Sequence, residues 1–317
     1  MTGMRPLAVA GNVNVDLIMG PATPWPKPGT EIIVDHDELR VGGAAGNSAL
    51  AWSALGLDYQ IAANTGSDQF GAWLREAFAP RSAAWPVADG GTTLSVGITH
   101  PGDERTFFTT RGHLPALDWP QVRGMLDWER LRGGILLLCG SFLTEALTAD
   151  YDALYDMADA HGVAVALDTG WPLDGWTQAN CDAARRWLAR SSCLLLNEVE
   201  ATTLSGENTP ETAARTLREL MSAGAIAVVK CGPRGALAFG ADGARYHAPA
   251  PKVDVVDTIG AGDVFNAAFL AAHALGQPLA KNLQYGVDVA STAVSTLPRR
   301  YDAGQGLYMK EDADERA

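Results

Sequence analysis

Basic residues are the scarce charge in this chain: 24 Lys and Arg stand against 37 Asp and Glu, a formal net charge of −13. So acidic a chain has no general basic face for a nucleic-acid backbone, and no nucleic-acid partner is expected. A local basic pocket for a phosphate ligand is compatible with that balance. Cysteine is also sparse. Cys139, Cys181, Cys193 and Cys231 are the only four. None are paired at metal-ligand spacing, and three lie in or beside apolar runs, so buried free thiols in a reducing cytoplasm are expected. No apolar run reaches the roughly 18 residues of a membrane span, and no membrane partner is expected. The start, MTGMRPLAVAGNV, lacks the long apolar core of a secretion signal, which points to a cytoplasmic protein. No internal repeat or low-complexity segment stands out.

What is present is a globular composition, 47% hydrophobic and 19% charged over 317 residues, enough for one large domain or two smaller ones. Apolar runs at 7–13, 59–64, 135–140, 163–168, 193–197 and 225–230 read as buried strands. They are continuous rather than alternating, as strands covered on both faces are. Helical patterns at 45–56, 70–79, 149–162, 180–190 and 209–224 separate them. The alternation predicts an α/β fold with a doubly wound, mostly parallel sheet. Two stretches break the rhythm, 17–41 and 92–111, with polar-alternating strands and Gly/Pro turns. They read as a small separate sheet over one end of the domain, or as two edge hairpins. The charged tail 310–317 is expected to fray.

The most specific segment is DTIGAGDVFNAAFL, residues 257–270. Gly260 and Gly262 allow a tight turn that leaves amides pointing at open space, at the start of an apolar helix. Those amides and the helix dipole suit a phosphoryl group. Asp263 directly behind them reads either as a general base for an attacking hydroxyl or as a helix N-cap. A second small-residue stretch, VGGAAGNSALAWSALG (41–56), carries Gly42, Gly43 and Asn47. It lacks the Lys-Ser/Thr of a P-loop and a G-x-G-x-x-G after a strand, which disfavours Walker-type NTPases and NAD-dependent dehydrogenases. Close ligand approach or tight helix–strand packing each explain it. Asn14 and Asp16 in GNVNVD end the first strand, where open α/β sheets bind ligands. They suit vicinal sugar hydroxyls, or the capping of a turn. Asn197 and Glu200 are three apart after a strand and suit Mg²⁺ held through water, or a helix cap. VVKCGPRGALAF (228–239) reads as strand, Gly-Pro turn, strand. Gly232 and Gly235 suit a loop against a nucleotide, with Lys230 or Arg234 near its phosphates, or a plain hairpin.

In this order (NVD, GGAAGN, N-x-x-E, K-x-G-x-x-G, DTIGAGD) the segments resemble the ribokinase-like carbohydrate kinases, the PfkB family, over about residues 7–300. DTIGAGDVFNAAFL is similar to the second signature of that family and VGGAAGNSALAWSALG to the first. The resemblance implies one ribokinase-like kinase domain over 1–317, with a small β-sheet lid at about 14–41 and 92–112, which in several relatives forms a homodimer contact. It implies ATP and Mg²⁺ as cofactors and a small sugar as substrate. Asp263 becomes the catalytic base, and Gly260, Ala261 and Gly262 the anion hole. Asn14, Asp16, Gly42, Gly43 and Asn47 meet the sugar, with Arg105 and Ser141 near it. Asn197 and Glu200 organise Mg²⁺ and phosphates, while Lys230, Gly232, Gly235, Gly260 and Gly262 border ATP. Asp257 and Ile259 match part of a monovalent-cation (K⁺) site, but residues 295–306 depart from its other part. Ala44 stands where ribokinase-type relatives often carry Lys, and Ser141 where they carry an acid. A nucleoside acceptor, stacked on Phe107, Phe108 or Trp171, is the alternative within the fold. A non-catalytic sugar or nucleotide sensor is the alternative outside catalysis.

Overall fold

The computed structural model describes residues 3–101 and 105–302. The end of the 295–306 segment and the tail at 310–317 lie outside the described residues. Strand β1 (Leu7–Gly11) is followed by β2 (Asn14–Gly20), β3 (His36–Gly42), helix α1 (Ala44–Ala54) and β4 (Gln60–Ala62). The short β5 (Thr65–Gly66) and β6 (Val87–Ala88) flank α2 (Gln69–Ala77), and β7 (Leu94–Thr99) and β8 (Arg105–Thr109) come next. Helix α3 (Trp119–Met125) leads to β9 (Ile135–Cys139), and α4 (Glu145–Ala149) and α5 (Tyr151–Ala160) lead to β10 (Ala164–Asp168). Helix α6 (Gln178–Arg190) precedes β11 (Cys193–Asn197); α7 (Glu198–Ser205) and α8 (Pro210–Glu219) precede β12 (Ile226–Lys230). Then come β13 (Ala236–Phe239), β14 (Arg245–Ala248), α9 (Ala261–Ala274) and α10 (Leu279–Val294).

The main sheet runs β14-β13-β12-β11-β10-β9-β1-β4. From β4 to β12 neighbouring strands are parallel, and β13 and β14 complete the edge antiparallel. Strands such as ILLLC of β9 are buried at every residue, because helices cover both faces. Alternate residues enter different cores. Leu7, Val9, Ile135 and Leu137 join one cluster with α1 and α9. Ala8, Ala10, Leu136 and Leu138 join the other with α3, α5 and α6. Parallel register brings the carboxyl ends Gly11, Cys139 and Asp168 side by side, and likewise Asn197 and Lys230. That edge is where such sheets bind ligands. All four cysteines are free and buried.

The two stretches that interrupt the alternation supply a second sheet, order β3-β2-β7-β8. It leaves the main sheet directly after β1 and returns before α3, and His113 ties the two crossings together. Its ring accepts from the Thr93 amide at 2.9 Å and donates to the Val13 carbonyl at 3.1 Å. Burial, only partly offset by the bonds to Val13 and Asn64, drives its pKa down to about 4, so it stays neutral.

Some elements differ from the sequence expectation. The helix expected at 149–162 is α5, and the unforeseen α4 precedes it across a break at Asp150, where ψ is 19° at φ −111°. Helices α3 and α10 and strand β14 were not anticipated: α10 (LAKNLQYGVDVASTAV) mixes glycine, β-branched and polar residues, which weakens its local signal.

Candidate active site

Helix α9 begins at Gly260, whose φ of 73° is the left-handed turn that glycine tolerates best. Asp263 is its third residue, and no side chain caps this end. The carboxylate is instead held from another element: Asn47 Nδ2 of α1 donates to its Oδ2 at 2.8 Å. The capping alternative for Asp263 therefore fails. Further bonds lock α1 to α9, from Ser48 Oγ to the Asp263 carbonyl at 3.2 Å and from the fully buried Trp52 Nε1 to the Ala267 carbonyl at 2.8 Å. Thus residues 216 positions apart in sequence meet at one carboxylate. Asp263 keeps some surface open, yet its carboxyl is enclosed by protein. Burial first, then the nearby Asp168 charge, raise its pKa from 3.8 to about 6, against the Asn47 bond and Lys230, which lower it. Of the turn amides, Ala261 N–H is spent on the Thr258 carbonyl at 3.1 Å. Gly262 and Asp263 are the second and third helical residues, whose N–H groups a helix leaves without an internal partner.

Beneath the turn lies a group that the sequence reading missed. Asp168, at the end of β10, accepts from Lys230 Nζ at 2.8 Å and Asn266 Nδ2 at 2.6 Å, and Lys230 also donates to Asn266 Oδ1 at 3.1 Å. A Cβ on Gly262 would sit 3.4 Å from Lys230 Nζ. Lys230 thus points inward under the turn, its charge kept, against burial, by Asp168 and Glu200. The available signal was an acid closing the apolar strand AVALD at its carboxyl end. Asn266, in the apolar run of α9, gave none.

Asn197 and Glu200 form a reciprocal cap on α7: Asn197 Oδ1 accepts from the Glu200 amide at 2.8 Å, and Glu200 Oε2 from the Asn197 amide at 2.9 Å. The capping alternative is realised for this pair. Burial, then the Asp168 charge, push the Glu200 pKa up to about 7. The charges of Asp168, Glu200 and Asp263 all act on the Lys230 ammonium, with Asp168 in direct contact.

Asn14 and Asp16 are buried in β2, and Asn14 Nδ2 donates to Asp16 Oδ1 at 2.8 Å. They cap no turn. Burial raises the Asp16 pKa to about 6 although Arg40 opposes it. Gly42 is needed here: a Cβ would stand 2.2 Å from the Asp16 carboxyl. Gly43, at φ 84°, would drive a Cβ to 2.4 Å from the Asn12 carbonyl. Asn12, also unforeseen, accepts from the Ala44 amide at 3.2 Å.

Other expected residues lie differently. Ser141 is fully buried, with its Oγ accepting from Tyr151 at 2.9 Å, so its hydroxyl is turned into the core. Gly232 and Gly235 bound a 3-10 turn between β12 and β13; a Cβ on Gly235 would reach 1.9 Å from the Ala248 carbonyl, which explains that glycine by packing. Arg234 is ion-paired with Glu198 on the surface. Asp257 is occupied by protein donors: Ile259 N–H at 2.9 Å, Arg40 at 2.5 Å and Arg299 at 2.7 Å, with Arg105 3.4 Å away. A monovalent cation does not fit beside these guanidinium groups. No group of three or more His, Cys, Asp or Glu among the described residues forms a metal cage.

The description of the pfkB family carbohydrate kinases matches residues 4–299. The chain belongs to that family. This PfkB kinase is 27% identical over 272 residues to the aminoimidazole riboside kinase of Salmonella typhimurium, covering 84% of this chain and 80% of that one. It is 24% identical over 298 residues to the ribokinase of Arabidopsis thaliana, covering 91% and 76%. Its fold is similar to the structure of Arabidopsis thaliana ribokinase complexed with ribose and ATP, TM-score 0.76 at 24% identity, covering 96% of this chain and 98% of that one. It is also similar to an Escherichia coli protein described as ribokinase II, in complex with ATP and Mg²⁺, TM-score 0.75 at 21% identity, covering 92% and 94%. At these identities the structural likeness speaks to the ribokinase fold alone. No helix among the described residues is long and apolar enough to cross a membrane.

Proposed function

We propose that this PfkB kinase transfers the γ-phosphoryl group of ATP to a sugar hydroxyl, with Asp263 as general base. The observation that carries this is the Asp263 carboxylate itself. It stands at the open N-terminus of α9, caps nothing, is aimed by Asn47, and is raised to about 6. Such a carboxylate is ionised at neutral pH and basic enough to take a proton from an alcohol as it attacks. Asp263 accepts that proton while the acceptor oxygen bonds to the γ-phosphorus and the bond to the ADP oxygen breaks. The Gly262 and Asp263 amides, with Lys230 beneath, stabilise charge on the transferring group. Asn14 and Asp16 orient the acceptor hydroxyls. Mg²⁺ would be held near Glu200 through water and would neutralise phosphate charge. Gly232, where a Cβ would meet nothing within 4 Å, leaves room for the nucleotide.

The four-stranded sheet acts as a lid that excludes water. Its far face carries Leu17, Met19, Val96 and Ile98, with Leu39 and Phe108 exposed at 46% and 55%. This supports a homodimer through the lid. On the near face, Phe107 is 48% exposed and pairs with Gly97 in the row of Ile18 and Glu38, two residues along from Asp16 and Arg40 on the same face. That aromatic, and the likeness to an aminoimidazole riboside kinase, support a nucleoside acceptor as the second reading. The test is a panel of sugars and nucleosides with MgATP, read by ADP release, for the wild type and Asp263→Asn. A fall in turnover of about 10²- to 10⁴-fold on the substitution is expected. Tight binding without turnover on every acceptor would favour a sensor.

A further inference from the structure

Three arginines from distant parts of the chain converge on one carboxylate beside the acceptor site. Arg40 lies on β3, Arg105 on β8 and Arg299 beyond α10. Asp257 Oδ2 accepts from Arg40 at 2.5 Å and from Arg299 at 2.7 Å, and Oδ1 lies 3.4 Å from Arg105. Arg105 also donates to Thr258 Oγ1 at 2.6 Å, and Arg40 lies 3.5 Å from Glu38, which is 39% exposed at the rim. A single carboxylate pairs fully with one guanidinium fork, so three forks have more donors than Asp257 can use. The surplus is visible in the geometry. Arg40 Nη2 and Arg105 Nε are buried and donate to nothing among the described residues. Buried donors on charged groups are costly unless an acceptor reaches them.

Their position says what that acceptor belongs to. Arg40 is the direct cross-strand partner of Asp16, and side chains paired this way share a face of the sheet. Arg40 and Arg105 therefore stand on the face of the sheet that carries Asn14 and Asp16, and Arg299 joins them at Asp257. We infer that the sugar substrate is anionic: it carries a phosphate or carboxylate that Arg40, Arg105 and Arg299 bind, while one of its hydroxyls faces Asp263. This rests on the kinase reading above. Guanidinium forks match the planar, paired oxygens of both anions. Asp257 holds the forks in register, and a neutral sugar leaves the surplus donors unpaired, which selects against it.

The test is steady-state kinetics with MgATP on matched acceptors: fructose, fructose 6-phosphate and fructose 1-phosphate in one arm, and glucose, gluconate and glucuronate in the other. One anionic class should exceed its neutral parent by at least about tenfold in kcat/KM, and the arm that responds tells phosphate from carboxylate. Arg299→Gln and Arg40→Gln should each raise the KM for that acceptor about 10- to 100-fold, with a much smaller change in the KM for ATP. Turnover of neutral acceptors alone would overturn the inference and leave the kinase reading standing. So would a rise in the KM for ATP with the acceptor KM unmoved, which would assign the arginines to the nucleotide. Absence of turnover on every acceptor would overturn both. Should an arginine variant not fold, the wild type still decides: an anionic sugar must compete with the neutral acceptor, and failure to compete overturns the inference.

Discussion

Asp263→Asn tests the chemistry and the electrostatics of the site at once. The substitution keeps the shape of the side chain, and an amide oxygen can still accept from Asn47 Nδ2. It removes the base, so kcat should fall about 10²- to 10⁴-fold. It also removes a charge that the fold resists. Moving a carboxyl from 3.8 to about 6 makes its ionised form up to about 3 kcal/mol less favourable in the folded chain. Because the residue keeps some open surface, this is an upper bound. The sign follows from linkage: the folded state holds the proton more tightly than the unfolded chain. The group therefore favours folding below about pH 4, and that contribution is lost as pH rises through about 6. Asparagine has no such dependence. The variant should melt several degrees above the wild type at pH 7.5, at about 2–4 °C per kcal/mol, and the difference should shrink toward pH 4. Differential scanning calorimetry across that range, beside a coupled ADP assay at pH 7.5, measures both. Near-normal turnover in a folded variant would refute the base. A melting difference that ignores pH would refute the buried-charge argument.

Further outcomes follow from neighbouring contacts. Asn47→Ala deletes a hydrogen bond that holds the Asp263 pKa down, so the acidic limb of the kcat/KM profile, near pH 6 in the wild type, should move upward, with activity above it reduced about tenfold. Lys230→Met leaves Asp168 buried without its cation, and urea denaturation should show a loss of about 3–5 kcal/mol. Gly42→Ala forces a Cβ against the Asp16 carboxyl; acceptor KM should rise with far less effect on the KM for ATP. Leu39→Asp with Phe108→Asp places charge on the outer face of the four-stranded sheet, and light scattering should report a dimer for the wild type and a monomer for the variant.

Local sequence carried a large part of this structure. Continuous apolar runs such as ILLLC, alternating with amphipathic helical patterns, made the doubly wound sheet legible. The break in that rhythm at 17–41 and 92–111 marked the second sheet. Gly260 and Gly262 announced a tight turn into α9, and the apolar residues behind announced a buried helix. Less legible were features without a local pattern. Helix α10 is packed into place by α9 more than by its own propensity. Asp168 looked like one more strand end until Lys230 and Asn266 closed around it.

The sequence by itself determined the order of the elements and the chemistry available at each strand end, because burial periodicity and turn-forming glycines act over a few residues. Tertiary structure alone decided what those groups do to one another. Asn47 aims Asp263 across 216 positions, and Asp168 neutralises Lys230 across 62. Asp257 is enclosed by arginines from 40, 105 and 299. A carboxylate's pKa and partners depend on distance and desolvation in three dimensions, and no local pattern encodes either.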